Sequence, residues 1–286
     1  MVVELLFVGG VIAGLFALAH WFVAHRATLI EGLARHWQRL IGSAPMQRLR
    51  VRYPRIWTFV ASRFARGEYL GLHLTVGLTI SFVSLWTFVS LTEDVLHHDP
   101  ITLFDVATLD WIRAHTTPTG HAFARAVSAV GSPRVMVSLG VIGAVVLAIR
   151  REWLFIEGWV IALLGGEALN VFLKRLIQRP RPMHSVISSA QSWSFPSGHA
   201  MESLIGYGML AYVVFVLVAW PRRRRVGIAL AATVLILLIG SSRIYLGVHY
   251  VSDVLGGYAA GLIWLAACIS GLEVARRWRE APIPEA

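Results

Sequence analysis

Long apolar runs alternate with short polar or basic segments along this 286-residue chain. A helix needs about 20 consecutive apolar residues to cross the hydrocarbon core of a bilayer. Windows of that length predict seven spans, which lie at residues 2–24, 69–91, 134–149, 152–174, 199–219, 226–246 and 252–273. The pattern therefore predicts an all-α fold, a polytopic transmembrane helical bundle.

Composition agrees with this prediction. The mean hydropathy is +0.64, and only 15% of the residues are charged, which excludes an ordinary soluble domain. The single cysteine, Cys268, falls inside the last span and has no partner for an internal disulfide.

The first apolar run has two interpretations. Ala17-Leu18-Ala19 resembles a signal-peptide cleavage site, but Met1-Val2-Val3-Glu4 lacks a basic start, and the arginines come after the run. We therefore expect a retained helix. The basic linker 25–68 that follows forms either short amphipathic helices in the membrane interface or a solvated connector.

The net charge of +10 reflects topology rather than a nucleic-acid partner. If the seven spans are correct, the arginine clusters all fall on one side of the membrane, which the positive-inside rule makes cytoplasmic. These clusters are Arg26 to Arg66, Arg150 and Arg151, Arg222 to Arg225, and Arg276 to Arg279. Segment 92–133 then lies on the opposite side, where its helical apolar spacing predicts an external interfacial helix that shapes a substrate entrance.

Three polar segments lie at the ends of apolar runs on that outer side: Lys174 to Pro182, Pro196 to His199 and Ser242 to Asp253. A phosphate group in a water-poor site needs surrounding positive charge. Lys174, the only lysine in the chain, and two arginines, Arg181 and Arg243, provide it. Arginine grips two phosphate oxygens with a planar fork, whereas lysine acts as a point charge.

The remaining motif residues predict anion binding and nucleophilic chemistry. Ser197 and Gly198 open an apolar run, so they either cap an ordinary helix or present a hydroxyl and free N–H groups to a phosphate. His249 and Asp253 are four residues apart and share a helical face. The carboxylate can therefore accept one imidazole N–H and leave the other nitrogen free to attack phosphorus.

In order, the segments read K-x-x-x-x-x-x-R-P, P-S-G-H and S-R-x-x-x-x-x-H-x-x-x-D, and together they resemble the signature of the type 2 phosphatidic acid phosphatase superfamily. The resemblance implies a six-helix phosphatase core, here at 69–273, preceded by one N-terminal helix and linker (1–68) and followed by a cytoplasmic tail (274–286). It implies that His249 is the nucleophile, that Asp253 orients it, and that His199 is the general acid.

The expected activity is hydrolysis of a lipid phosphate at the outer face of a bacterial-type inner membrane, without a cofactor or metal. The resemblance offers phosphatidic acid, phosphatidylglycerol phosphate, diacylglycerol diphosphate, undecaprenyl diphosphate and lipid A phosphate as substrates. Two alternatives stay open. One is a phosphotransferase using the same histidine, and the other is a transporter, for which polar residues within spans would mark an ion path.

Three further polar residues lie within predicted spans. Glu167 and Asn170 fall near the helical face of Lys174, with Glu167 about 10 Å deeper. Glu167 either lines the lipid cavity or pairs with a neighbouring helix, and pairing is favoured. Glu202 follows His199 by three positions and is a candidate to orient it.

Overall fold

The structure is a computed structural model that describes residues 69–97, 100–182 and 193–280, together with residues 47, 52 and 53. The predicted helix at 2–24 and almost all of the linker 25–68 lie outside the described residues. So do most of the loop 183–195 and the end of the predicted tail. The chain divides into two compact units, Met1–Val76 and Gly77–Ala286, and the candidate site lies in the second.

The described residues form helices and no strands, as the sequence predicted. In chain order the helices are α1 (Tyr69–His97), α2 (Pro100–His115), α3 (Pro118–Val130), α4 (Pro133–Ile149), α5 (Trp153–Ile177), α6 (Gly198–Leu217), α7 (Arg222–Tyr245) and α8 (Val251–Glu280).

Five stretches within these helices are long and apolar enough to cross a membrane. They are Leu74–His97, Pro118–Ile149, Gly198–Leu217, Arg222–Tyr245 and Val251–Arg279. Helix α5 is not among these stretches. Its 25 residues nevertheless span about 37 Å, which is enough for a crossing.

Segment 92–133 is more regular than its sequence suggested. Helix α1 continues to His97, and the turn-like stretch 116–120 is brief, because a new helix starts at Pro118. Thr117 caps that helix by accepting a hydrogen bond from the Gly120 N–H at 3.1 Å. A proline at the first position suits a helix start, since the N–H that it lacks would have no intrahelical partner there.

Helix α6 lies at the centre of the bundle and contacts α4, α5, α7 and α8. Its buried side chains include Met201, Ile205 and Met209, which form one cluster with Trp159 of α5. Gly257 of α8 permits the closest approach between α6 and α8, since a Cβ there would lie 2.6 Å from the Ser197 carbonyl oxygen. Close packing of this kind depends on small residues in membrane bundles.

Candidate active site

The three polar motifs meet at one end of the bundle. Lys174 lies in the last turn of α5 and Arg243 in the last turn of α7, while Gly198 begins α6 and Asp253 lies in the first turn of α8. Backbone contacts fasten these ends together, since the Ser197 N–H donates to the Asp253 carbonyl oxygen at 2.9 Å. Residues far apart in sequence therefore share one small polar region.

Two arginines that follow α5, Arg179 and Arg181, contact residues at or just before the start of α8. Gln178 ends the helix in the left-handed conformation, at φ 53°. In the extended Arg179-Pro180-Arg181-Pro182 stretch that follows, alternate side chains point the same way, and the prolines restrict the backbone. Arg179 reaches Asp253, and Arg181 donates to the Val248 carbonyl oxygen at 3.0 Å.

His249 and Asp253 form the predicted pair. The imidazole Nδ1 lies 3.3 Å from the Asp253 Oδ2, and the ring is almost wholly buried, with 1% of its surface exposed. The other ring nitrogen, Nε2, lies 3.4 Å from the Arg181 Nη1. A carboxylate beside Nδ1 favours the tautomer that carries its proton there. The lone pair then resides on Nε2, beside a cation.

Burial lowers the pKa of His249 from its ordinary value to about 4. The hydrogen bond and charge of Asp253 raise this pKa, whereas Arg181 and Lys174 lower it. Because the imidazolium would lose its hydration in this pocket, the neutral ring is favoured at pH 7. A neutral imidazole has the lone pair that a nucleophile requires.

Two buried donors around this pair have no hydrogen-bond partner among the described residues. They are the Ser197 hydroxyl and the Arg243 Nε. An unpaired buried polar group costs about 1–3 kcal/mol. Both groups belong to the positions predicted to bind phosphate, whose oxygens would satisfy them.

Gly198 is crowded in a way that only glycine tolerates. A Cβ there would lie 2.7 Å from the Asn170 Nδ2 and 3.1 Å from the Glu202 Oε1. The first N–H groups of α6 have no intrahelical partner, which makes this helix start suitable for an anion.

The remaining predicted residues lie within electrostatic range of one another. His199 experiences the charges of Arg243, Lys174 and Arg181 and also interacts with His249. Lys174 in turn interacts with Asp253. The structure thus brings together all eight predicted site residues: His249, His199, Asp253, Lys174, Arg181, Ser197, Gly198 and Arg243.

The polar residues inside the spans adjoin the site at Gly198 and extend about two helical turns deeper, to Glu167. Glu202 of α6 accepts a hydrogen bond from the Asn170 Nδ2 at 3.2 Å and lies within electrostatic range of Glu167 of α5. Pairing of Glu167 with a neighbouring helix stays a prediction. Glu202 has no hydrogen bond to His199 within the described chain, so the structure does not support its predicted orienting role.

Sequence reasoning missed a buried cluster of three residues beside the nucleophile pair, in which Arg179 contacts Asp253 directly. Asp105 of α2, Arg179 and Ser252 are each at most 9% exposed and are joined by hydrogen bonds. Arg179 had a usable signal, because arginine and proline alternate from Arg179 to Pro182. Asp105 had none, since it resembles the other acidic residues of the predicted external segment.

No group of three or more histidine, cysteine, aspartate or glutamate side chains that could hold a metal occurs in the part of the chain that the structure describes. The lysine and arginines supply the local positive charge instead. Cations of this kind can stabilise a transferring phosphoryl group.

Comparison with known proteins identifies the family. Residues 153–277 match the model of the PAP2 superfamily. Phosphatidylglycerophosphatase B from Bacillus subtilis is 31% identical over 184 residues, which are 63% of this chain and 89% of the relative. This chain belongs to the PAP2 superfamily. The matched region includes every predicted site residue but not Asp105.

Two further comparisons fit this PAP2 assignment. A transmembrane PAP2 type phosphatidylglycerolphosphate phosphatase from Bacillus subtilis has a crystal structure that superposes with a TM-score of 0.64 at 28% identity. The match covers 70% of this chain and 98% of that one. The decaprenylphosphoryl-5-phosphoribose phosphatase of Mycobacterium tuberculosis is 34% identical over 43% of this chain and 63% of its own length.

The family membership confirms the coarse prediction. The protein is a multi-pass membrane phosphatase of the PAP2 lipid phosphatase family, with a lipid substrate and a bilayer as its surroundings.

Proposed function

We propose that this PAP2 phosphatase hydrolyses a lipid phosphate monoester or diphosphate through a phosphohistidine at His249, on the extracytoplasmic face of the inner membrane. The observation that carries the proposal is the geometry of His249. Its ring is buried, with Nδ1 facing Asp253 and Nε2 next to Arg181. A cation beside the attacking nitrogen can hold the phosphate where the new bond forms.

The substrate phosphate would occupy the region among the motif cations. Lys174, Arg181 and Arg243 would neutralise its oxygens, and the Ser197 hydroxyl and the first N–H groups of α6 would donate hydrogen bonds. The unpaired Ser197 hydroxyl and Arg243 Nε support this arrangement. Positive charge that is already in position stabilises the transition state without reorganisation.

In the first step the His249 Nε2 attacks phosphorus, the bond from phosphorus to the leaving oxygen breaks, and His199 gives that oxygen a proton. Asp253 stabilises the positive charge that develops on the attacking ring. In the second step a water molecule loses a proton to His199 and attacks phosphorus. The bond between phosphorus and Nε2 breaks, and both histidines return to their starting states.

The substrate class follows from the relatives only as a proposal. Their names specify a phosphatidylglycerophosphatase and a phosphatase of a decaprenylphosphoryl phosphoribose. Both describe lipid-linked phosphates. The first substrates to test are therefore phosphatidylglycerol phosphate, phosphatidic acid and a polyprenyl diphosphate.

The test is phosphate release by the purified full chain in detergent, with excess chelator present. We expect release from at least one of these lipids, inhibition by vanadate, and loss of activity in His249→Ala. His115→Ala is the matched control, since that ring lies exposed on α2. Activity that vanishes in chelator and returns with magnesium would contradict the proposed metal-independent mechanism. Transfer of the phosphoryl group to an added alcohol in preference to water would favour a phosphotransferase.

A further inference from the structure

A buried charged cluster connects α2 to the nucleophile pair. The Asp105 Oδ1 accepts a hydrogen bond from the Ser252 N–H at 3.0 Å, and its Oδ2 accepts one from the Arg179 Nη2 at 2.9 Å. The Ser252 hydroxyl donates to the same Oδ2. Asp105 is 0% exposed, and helix α2 lies outside the family-matched region. Both oxygens of this buried carboxylate are hydrogen-bonded to Ser252 or Arg179.

The same arginine grips the carboxylate that faces the nucleophile. The Arg179 Nη1 donates to the Asp253 Oδ1 at 2.6 Å, while the Asp253 Oδ2 accepts from the Tyr250 N–H at 2.9 Å and faces His249. Each carboxylate oxygen therefore has its own fixed donor. With both oxygens held, the plane of the carboxylate cannot rotate away from the imidazole.

Stability alone is a poor explanation for this cluster. Burying ions costs several kcal/mol each, and replacing a buried ion pair with packed apolar residues is often neutral or stabilising. Here the guanidinium of Arg179 is buried between two carboxylates, those of Asp105 and of Asp253, the residue that orients the nucleophile. Their cost is understandable if they control the geometry and charge of that residue.

We propose that Arg179 and Asp105 are positioning residues, which hold the Asp253 carboxylate in the orientation that it presents to His249. This inference rests on the roles proposed above for His249 and Asp253. Arg179 fixes the carboxylate directly, and Asp105 fixes Arg179 and the backbone of α8 at Ser252. Helix α2 is then part of the catalytic structure and not only a wall of the substrate entrance.

The rest of α2 fits this role. Asp105 and Leu109 are its buried residues, whereas Leu103 and Trp111 are 71% and 64% exposed. Exposed apolar side chains suit a helix in contact with lipid, and tryptophan is common at membrane interfaces. One face of the helix thus meets the bilayer, while the other carries Asp105 toward Arg179 and Ser252.

Arg179 also sets the charge that His249 experiences. The groups acting on His249 are Asp253, Arg181, Lys174 and His199, and Arg179 acts on it through Asp253. Without Arg179, the Asp253 carboxylate would favour a protonated His249 more strongly. The acid limb of the activity profile would then move to higher pH, because the protonated ring cannot attack.

The experiment compares four variants of the full-length protein in detergent, assayed with nitrophenyl phosphate across a range of pH. Asp105→Asn and Arg179→Gln remove the charges of the cluster, and Arg179→Lys restores one charge without the fork. Asp110→Asn is the matched control on α2, since the Asp110 side chain is 63% exposed and pairs only with Arg113 among the described residues. Folding of each variant is checked by gel filtration and thermal unfolding.

We expect Asp105→Asn and Arg179→Gln to lower kcat by about 10- to 100-fold, the range seen when residues that orient metal ligands are lost. KM should change by less than about 3-fold, because neither residue contacts substrate. Arg179→Gln should move the acid limb to higher pH. Arg179→Lys should return that limb toward its wild-type position but recover only part of the wild-type kcat. Asp110→Asn should match the wild type.

Three outcomes would overturn the inference: a normal kcat in Asp105→Asn, an unmoved acid limb in folded Arg179→Gln, or a change confined to KM. If Arg179→Gln does not fold, Asp105→Asn decides alone through its kcat. Including His249→Ala separates the two proposals. Activity retained in His249→Ala contradicts the proposed mechanism itself, whereas its loss together with a normal Asp105→Asn contradicts only the role of α2.

Discussion

The two nitrogens of His249 have different neighbours, and this difference determines which of them can react. Nδ1 lies 3.3 Å from a carboxylate oxygen of Asp253, and Nε2 lies 3.4 Å from the Arg181 guanidinium. The carboxylate accepts a hydrogen bond from the Nδ1–H, and the cation attracts the anionic substrate to Nε2. The proposed attack therefore starts from Nε2.

His199 has the complementary role in this mechanism, since it supplies a proton to the leaving oxygen. We predict that His199→Ala lowers kcat on phosphatidic acid by about 100- to 10,000-fold, the usual contribution of general acid–base catalysis. On nitrophenyl phosphate the first step should be much less affected, because that leaving group needs little protonation. The burst of nitrophenol measured by stopped flow reports this step.

Equal loss of the first step on both substrates would assign His199 to phosphate binding, like Lys174. The matched control is His121→Gln. His121 is a half-buried histidine of α3 that packs edge-on against Tyr245, and it has no proposed part in the chemistry.

The sequence was most informative for residues of the same charge that recur in the ordered polar motifs. Lys174, Arg181 and Arg243 could be grouped because three cations at the ends of apolar runs have one common use. Asp105 could not be added to them. Its partners are 74 and 147 residues away in sequence, and nothing in local spacing distinguishes it from an exposed carboxylate such as Asp110.

At the scale of helices, the site depends on how closely α6 and α8 approach each other. The Ser197 carbonyl oxygen lies only 2.6 Å from the position that a Cβ on Gly257 would occupy. Ser197 and Gly198 lie at the start of α6. A shift of this helix start would therefore also displace the Ser197 hydroxyl and the backbone N–H groups that are proposed to bind phosphate. The packing of two helices thus fixes the position of the phosphate site.

We predict that Gly257→Ala destabilises the protein by about 1–3 kcal/mol, the usual cost of overpacking a tight contact. It should also lower kcat/KM on nitrophenyl phosphate, because the start of α6 must move. Gly271→Ala on the same helix is the matched control, since a Cβ there meets no atom within 4 Å. The control should be neutral or stabilised by up to about 1 kcal/mol through helix propensity.

Thermal unfolding in detergent and steady-state kinetics measure both effects. If Gly257→Ala is as stable and as active as Gly271→Ala, the close approach does not fix the site.

Periodicity predicted the helices well and their ends less well. The apolar run at 69–91 continues as helix to His97, because Glu93 and Asp94 are compatible with a helix that has left the hydrocarbon core. The division of 116–130 into a short turn and helix α3 depends on the cap at Thr117, whose hydrogen bond cannot be read from hydropathy.

At the scale of the whole molecule, the arginine clusters lie at one end of the bundle and the motif residues lie at the other. The arginines before α5, at the start of α7 and at the end of α8 lie opposite the motif residues, which occupy the other end of the same helices. By the positive-inside rule this predicts an extracytoplasmic site. The predicted N-terminal span lies outside the described residues, and the domain boundaries stay predictions.

We predict that a cysteine replacing Thr119, in a Cys268→Ala background, is labelled by a membrane-impermeant thiol reagent in intact cells. Thr119 is exposed in the first turn of α3, close to the motif end of α7, where the Tyr245 hydroxyl accepts a hydrogen bond from the Thr117 N–H. A cysteine replacing Arg223 should react only after the membrane is opened. The opposite pattern of labelling would place the site in the cytoplasm.

Covalent catalysis by His249 is the central step of the proposed mechanism, and trapping the intermediate tests it directly. Wild-type protein and His249→Ala are mixed with radiolabelled phosphatidic acid or the best lipid of the panel, quenched within milliseconds and analysed for protein-bound phosphate. The account predicts a label on the wild type that is stable in alkali and lost in acid, as a phosphorus–nitrogen bond requires, and none on His249→Ala. A label that persists on His249→Ala, or hydrolysis by the wild type with no labelled protein at any time, would contradict it.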